Sequence, residues 1–383
     1  MQKKILSEKV LSKKGLSQRE LPSGWPTMPP IYDIHRSYME NAEEGPFYRG
    51  PFIERILPPK EQWTSFLGVP VASMIGVPAG PLLNSRWVSF AAKMGFDIVT
   101  YKTIRSKVHP AHPVPNMIYV DTKGPLNEAR KQELLYPAQK APADMDSLAL
   151  TNSFGIPSKD PDFLIKDIEN AQKSLHEGQA MIVSIVGTPR PNEDFVEDFA
   201  LAAALAKEAG SRLIEADFSC PNVVSCEGSI HTNPETIYTL CKRMKEVIGN
   251  LPLIIKVGVI SQEKTMKEVM QAAVRSGVEA ICGINTVSMK VVNPDGSPAL
   301  GPNRIQSGVC GGPIRGAALD FIKMASKVNR EEQFGLTIMG TGGVTLPEHF
   351  DLFFEAGADV AMSAVGMMWD PFLALRYSRL SLH

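Results

Sequence analysis

Glu208-Ala209-Gly210-Ser211-Arg212-Leu213-Ile214-Glu215-Ala216-Asp217-Phe218-Ser219-Cys220-Pro221-Asn222 reads as a helix end, a turn and a short strand that finishes in reactive residues. Gly210 suits the left-handed position that closes a helix, where any other residue meets a Cβ penalty. The run after it is too short for a helix and apolar enough for a buried parallel strand. The same phrase recurs at Lys93-Met94-Gly95 before DIVTYKT, at Arg275-Ser276-Gly277 before VEAICGIN and at Glu355-Ala356-Gly357 before ADVAMSAV.

Between these phrases lie helices. Met266, Val269, Met270, Ala273 and Val274 make one apolar stripe over 261–276. Thr345 and Glu348 have the spacing of a capping box, and Asn192 stands as a cap before Glu193 and Asp194. Strands are expected near 74–79, 98–103, 181–187, 213–218, 253–257, 280–285, 336–340 and 359–364. Eight strands alternating with helices predict an α/β fold, a (β/α)8 TIM barrel. A doubly wound open sheet is the structural alternative. The barrel is preferred because no GxGxxG turn follows the first strand and polar residues gather at strand C-terminal ends.

Two regions fall outside the repeat. Residues 1–60 read as an N-terminal extension, leaving 61–383 for the barrel, with an insertion over about 104–150 after the second strand. That insertion is too long for an ordinary βα loop, so a lid or subdomain is expected. The first twenty residues are basic and lack the apolar core of a signal peptide, which favours a frayed segment.

Composition narrows the class. With 44% hydrophobic and 21% charged residues the chain has the balance of a soluble protein, and a net charge of −1 gives no pull toward nucleic acid. No apolar run approaches the ~20 residues of a membrane span. Five cysteines without a paired pattern suggest no disulfide framework and a cytoplasmic location.

Strand alternation places Glu215 and Asp217 on one face and Ile214, Ala216 and Phe218 on the other. The apolar face meets the surrounding helices, so the two acids point into the barrel. Cys220 follows at the C-terminal end, where barrel enzymes keep their catalytic groups. Lys102, Lys256, and Asn285 with Thr286 end the second, fifth and sixth strands. Gly340-Thr341-Gly342-Gly343 opens the helix expected behind Thr345, and Ser363-Ala364-Val365-Gly366 ends the eighth strand. Loops after strands seven and eight form the usual phosphate site of this fold, so a phosphate-bearing ligand is implied.

The stretches AGPLLN, TYKT, TNSFGIP, EADFSCPNV, IIKVG, GINTVS, SGVCGGPIRGAAL and GTGGV stand in the order seen in the dihydroorotate dehydrogenase family. They are also similar to the pyrimidine-binding barrel of dihydropyrimidine dehydrogenase. The resemblance covers roughly residues 70–375 and implies an FMN-binding barrel that interconverts a dihydropyrimidine, above all dihydroorotate, with its pyrimidine. It assigns Cys220 as the catalytic base of the cysteine-using class, and Lys256 as the cation beside the flavin. Lys102 falls at flavin and substrate. Asn152, Ser153, Phe154 and Gly155 match the substrate-carboxylate turn, and Asn222, Asn285 and Thr286 match residues that hydrogen-bond the pyrimidine. Ala79, Gly80, Gly312, Gly342, Gly343, Ala364 and Val365 fall on cofactor-binding positions. The resemblance also implies a homodimer. It leaves the electron acceptor open among fumarate, NAD through an iron–sulfur partner, and quinone, with the cysteine pointing away from quinone.

One position departs from the family phrase E-L-N-L-S-C-P-N: the inward asparagine is Asp217 here. An ionised carboxylate only accepts hydrogen bonds, so Asp217 is expected either to pair with Lys256 or to accept from an extra substrate N–H. The loop VVSCEGSIHTNP after the cysteine departs as well. Other readings are an FMN reductase of a different cyclic amide or unsaturated carbonyl compound, a flavin-free lyase using Lys256 as Schiff-base nucleophile, and a flavin-binding module without activity. Cys226, Cys241, Cys282 and Cys310 read as structural, and His109 and His112 as a solvated loop, with no metal site expected.

Overall fold

The computed structural model describes residues 21–219 and 230–380. Eight parallel strands close into a barrel: β1 Ile75–Val77, β2 Ile98–Ile104, β3 Ala180–Ile185, β4 Leu213–Asp217, β5 Leu253–Lys256, β6 Ala280–Gly283, β7 Thr337–Thr341 and β8 Val360–Met362. Each strand pairs with its neighbour in chain order, and β8 closes onto β1 through Met362 and Gly76. The closing glycines of the repeated phrase, Gly95, Gly210, Gly277 and Gly357, all have φ between +81° and +103°. They free the chain to turn from helix into strand with no Cβ strain.

Burial separates the two faces of each strand. Leu213 belongs to the cluster inside the barrel with Ile98, Ile182, Ile254, Cys282 and Met339. Ile214 and Ala216 belong to the larger cluster between strands and helices. Glu215 and Asp217 alternate with those two and so face inward with Leu213. A short hairpin, Thr64–Phe66 paired with Val69–Val71, adds Phe66 and Val71 to the inner cluster.

The insertion is built differently from a single-segment lid. Its strands Met117–Asp121, Leu134–Pro137 and Ala149–Asn152 join Val287–Val291 and Gln306–Gly311, which follow β6, in a second closed ring of five strands. Asn152 lies opposite Gly308, and Leu134 opposite Lys290. Residues 21–60 are anchored to the barrel rather than hanging from it. The Ile31 N–H donates to Met368 O at 2.9 Å, and the Ile31 and Tyr32 side chains are fully buried.

Two caps differ from expectation. The helix Phe195–Glu208 is capped by Asp194, whose carboxylate accepts from the N–H groups of Val196 and Glu197, and Asn192 stands outside it at φ +63°. Thr345 and Glu348 form no capping box, because the helix begins only at His349 and has no side-chain cap from Glu348. The free N–H groups of Thr345 and Leu346 turn instead to His349 Nδ1, at 3.2 and 3.1 Å. Among the described residues no helix is long and apolar enough to cross a membrane.

Candidate active site

A cleft opens at the C-terminal ends of the barrel strands, between the barrel and the five-stranded ring. Its floor is set by strand ends. Lys256 terminates β5 in register with Asp217 on β4, and both are buried. The expected ion pair between them does not form: no carboxylate of a described residue lies within salt-bridge distance of Lys256. Asp217 Oδ1 instead accepts from the Ser219 N–H at 3.0 Å and the Ser219 hydroxyl at 2.6 Å. A carboxylate two residues before a serine N–H makes this local turn easily, and the turn outcompetes the reach across to Lys256. Asp217 Oδ2 takes no hydrogen bond from a described residue.

Lys256 donates to Ala79 O at 3.1 Å, its one hydrogen bond to a described residue. A buried ammonium with a single neutral acceptor retains donors and charge for a ligand in the cleft. Beneath it sits Glu215, fully buried beside Ser184 and Cys282, with neither oxygen in a well-formed hydrogen bond. Burial raises its pKa above the ordinary carboxylate value, against the opposing pull of Lys256 and with the help of Asp217. Lys102, at the end of β2, donates to the carbonyls of Thr103 and Pro157, both at 2.8 Å, and lies 5.4 Å from the centre of the Tyr38 ring.

The wall opposite is the turn Asn152–Pro157. It is held from behind by Arg105, whose guanidinium donates to Ile156 O at 2.9 Å, Gly155 O at 3.2 Å and Thr188 Oγ1 at 2.6 Å. His112 is no solvated loop residue. Its Nδ1 lies 3.0 Å from Ser153 Oγ, its N–H donates to Phe154 O at 2.9 Å, and its ring fills the space a Cβ on Gly155 would need. Gly155 has φ +80°, so glycine is required there twice over. His109 is likewise pinned by backbone bonds to Ser158.

At the far end the cleft is lined by backbone. Gly342 (φ +116°) and Gly343 (φ +88°) turn after β7, with Ala364 and Val365 beside them after β8. Nearer the lysines, Gly80 (φ +133°) follows Ala79 after β1, and a Cβ built on it meets no atom within 4 Å, so its peptide faces open space on the cleft wall. Gly311 lines the cleft, whereas Gly312 packs against the backbone of Asp146 behind it. FMN fits these residues: bare glycine turns at one end for a phosphate, a buried cation at the other for an electron-rich ring.

The structure therefore gathers Ala79, Gly80, Lys102, the Asn152–Gly155 turn, Asp217, Lys256, Asn285, Thr286, Gly342, Gly343, Ala364 and Val365 around one cleft. Cys220, Asn222 and Cys226 lie outside the described residues. Sequence reasoning missed Tyr32 and Tyr38 of the N-terminal segment, which line the cleft and pack edge-on or tilted against Phe154 at 6.1 and 5.5 Å. It also missed Cys310, whose thiol accepts a weak bond from Asn152 at 3.9 Å and is pushed up to about 12 by burial. Cys241 and Cys282 are free and buried. Among the described residues no group of three or more His, Cys, Asp or Glu side chains is placed to hold a metal.

No family model matches the chain. Individual proteins do. It is 47% identical over 361 residues to the dihydroorotate dehydrogenase of Dictyostelium discoideum, covering 92% of this chain and 98% of that one. It is 25% identical over 279 residues to the catalytic subunit of dihydroorotate dehydrogenase B (NAD(+)) of Methanocaldococcus jannaschii, covering 73% of this chain and 78% of that one. The crystal structure of the Eimeria tenella dihydroorotate dehydrogenase in complex with ferulenol superposes with a TM-score of 0.66, covering 86% of this chain and 85% of that one at 15% identity, which speaks for the fold. A strand-end cleft in an eight-stranded barrel, and near-half identity over almost the full length of both chains, place this chain in the dihydroorotate dehydrogenase family.

Proposed function

We propose that this chain oxidises dihydroorotate to orotate, with FMN as cofactor and Cys220 as base. The observation that carries the reading is one cleft with two buried lysines at one end and bare glycine turns at the other. Cations of this kind suit the negative charge of a pyrimidine carboxylate and of a reduced flavin, and backbone N–H groups at glycine turns suit a phosphate. The relatives from Dictyostelium and Methanocaldococcus supply the substrate by name.

The reaction removes a hydride from one ring carbon and a proton from its neighbour, leaving a C=C bond. FMN, when bound, would supply the hydride acceptor at N5. The chain's own residues supply the rest. Cys220, as the thiolate, takes the proton. Lys256 stabilises negative charge on the cofactor side, using the donors that Ala79 O leaves free. The Asn152–Gly155 turn, kept rigid by Arg105 and His112, orients the substrate carboxylate together with Lys102. Asn222, Asn285 and Thr286 hold the pyrimidine edge. The test is the visible spectrum of the purified protein, taken anaerobically before and after adding dihydroorotate: a flavin band that bleaches is expected. A band that persists would remove dihydroorotate as substrate, and no band even after adding FMN would remove the cofactor. A cytoplasmic homodimer is the assembly that the resemblance and the cysteine usage support, and sedimentation equilibrium checks its mass.

Asp217 favours a second substrate reading. With Oδ1 engaged by Ser219, Oδ2 offers an acceptor where the family phrase has an amide, which suits a cyclic amide with one more N–H on that edge. Asp217→Asn is expected to raise dihydroorotate turnover about tenfold, the worth of one charge-assisted hydrogen bond. Unchanged turnover counts against any role of Asp217 in substrate choice.

A further inference from the structure

Three charged or titratable side chains meet just behind the glycine turns without lining the cleft. Asp146 comes from the end of the insertion, Arg315 starts the helix Arg315–Glu331, and His349 starts the helix His349–Glu355. The Arg315 guanidinium forks onto Asp146, with Nη1 to Oδ1 at 2.8 Å and Nη2 to Oδ2 at 3.3 Å. The same Nη1 reaches Gly343 O at 3.4 Å and His349 Nδ1 at 3.2 Å. Thr345 Oγ1 donates to Asp146 Oδ1 at 3.3 Å, and His349 Nε2 lies 3.3 Å from the same oxygen.

The protonation states follow from the donors. His349 Nδ1 accepts two backbone N–H groups, which assigns the proton of the neutral ring to Nε2, 3.3 Å from Asp146 Oδ1. Burial and the Arg315 charge keep the imidazole below its ordinary pKa, consistent with a neutral ring. Burial is the largest single influence on Asp146 and works against its ionisation, but Arg315, His349 and Thr345 together hold the carboxyl below its ordinary value.

The backbone is bolted at the same place. Gly312 N–H donates to Leu148 O at 3.0 Å, and a Cβ on Gly312 would overlap the Asp146 carbonyl. A Cβ on Gly343 would come within 2.5–2.7 Å of Arg315 Cβ, Cα and N. The Gly311–Ile314 and Gly342–Thr345 turns, both on the cleft wall, are thus locked to one segment of the insertion.

We propose that Asp146, Arg315 and His349 form a positioning clasp that fixes these two turns, so that the insertion sets the affinity for the phosphate end of the flavin. The proposal rests on the FMN reading above. None of the three residues lines the cleft, and Arg315 spends its charge on Asp146, so the clasp acts through the geometry of the backbone donors.

The experiment compares FMN with riboflavin, which lacks only the phosphate. Dissociation constants for both are measured by fluorescence quenching on the full chain stripped of flavin, for the wild type, Asp146→Asn and Asp146→Glu. Asp146→Asn is expected to weaken FMN about tenfold and leave riboflavin within about twofold, with Asp146→Glu recovering most of the loss. Equal losses for both flavins, or no loss of FMN, would overturn the clasp while leaving the FMN reading intact. A wild-type chain that binds neither flavin would overturn that reading and the clasp together. Should Asp146→Asn fail to fold by circular dichroism, Arg315→Lys, which keeps the charge and breaks the fork, carries the same comparison.

Discussion

The two ends of the cleft solve opposite problems. At the glycine end the charges sit outside the cleft, paired and hydrogen-bonded to one another, and present only backbone to a ligand. At the lysine end charged side chains line the cleft itself, and two of them are lightly partnered among the described residues: Lys256 has one carbonyl and Asp217 one engaged oxygen. A satisfied network gives a rigid mould at little electrostatic risk. An unsatisfied one stores the capacity to respond to charge that appears during a reaction. Binding is expected to depend on the first end and chemistry on the second.

The largest effect should come from the lysine end. Lys256→Met is expected to slow anaerobic flavin bleaching by dihydroorotate roughly 10²–10³-fold, the usual loss for one electrostatic group at a reacting centre. Stopped-flow absorbance reads it directly. A fall in flavin affinity with no change in that rate would reverse the contrast between the two ends.

An intermediate effect is expected where the substrate turn is braced. Arg105→Met removes donors to the carbonyls of Gly155 and Ile156, about 1.5–3 kcal/mol for bonds from a charged group. Because Arg105 does not line the cleft, the loss should appear as a KM for dihydroorotate raised about tenfold or more, with kcat changed less. A kcat loss at constant KM would place Arg105 in the chemistry instead.

The smallest effect concerns Glu215. Its pKa is raised on folding, by burial first, so its stabilising protonated form is fully present below the unfolded value of ~4.3 and is lost as pH rises through the folded value. Glu215→Gln lacks that loss. The melting temperature of the wild type is therefore expected to fall relative to the variant as pH rises above ~4.3, by about one to three degrees. Parallel melting curves across that range would mean that Glu215 titrates alike in the folded and unfolded chain.

How much of this was legible beforehand depends on distance along the chain. The alternation in Leu213-Ile214-Glu215-Ala216-Asp217 was enough to send both acids inward, because the period of a strand is a local property. Local turn chemistry misled at Thr345, where a capping box was expected and His349, four residues on, takes the N–H groups. For Asp217 the sequence leaves open a pairing with Lys256 on the next strand or a substrate N–H, and the structure gives one oxygen to Ser219, two residues away.

The sequence by itself determined the barrel, its strand order and the polar residues at its strand ends, since periodicity and closing glycines act within a single βα unit. Only the tertiary structure decided that residues 287–311 complete the ring begun by the insertion, that Tyr32 and Tyr38 reach the cleft, and that Asp146 meets Arg315 and His349. Those contacts join segments far apart in the chain. Their geometry follows from how closed layers pack, and no local pattern of residues encodes it.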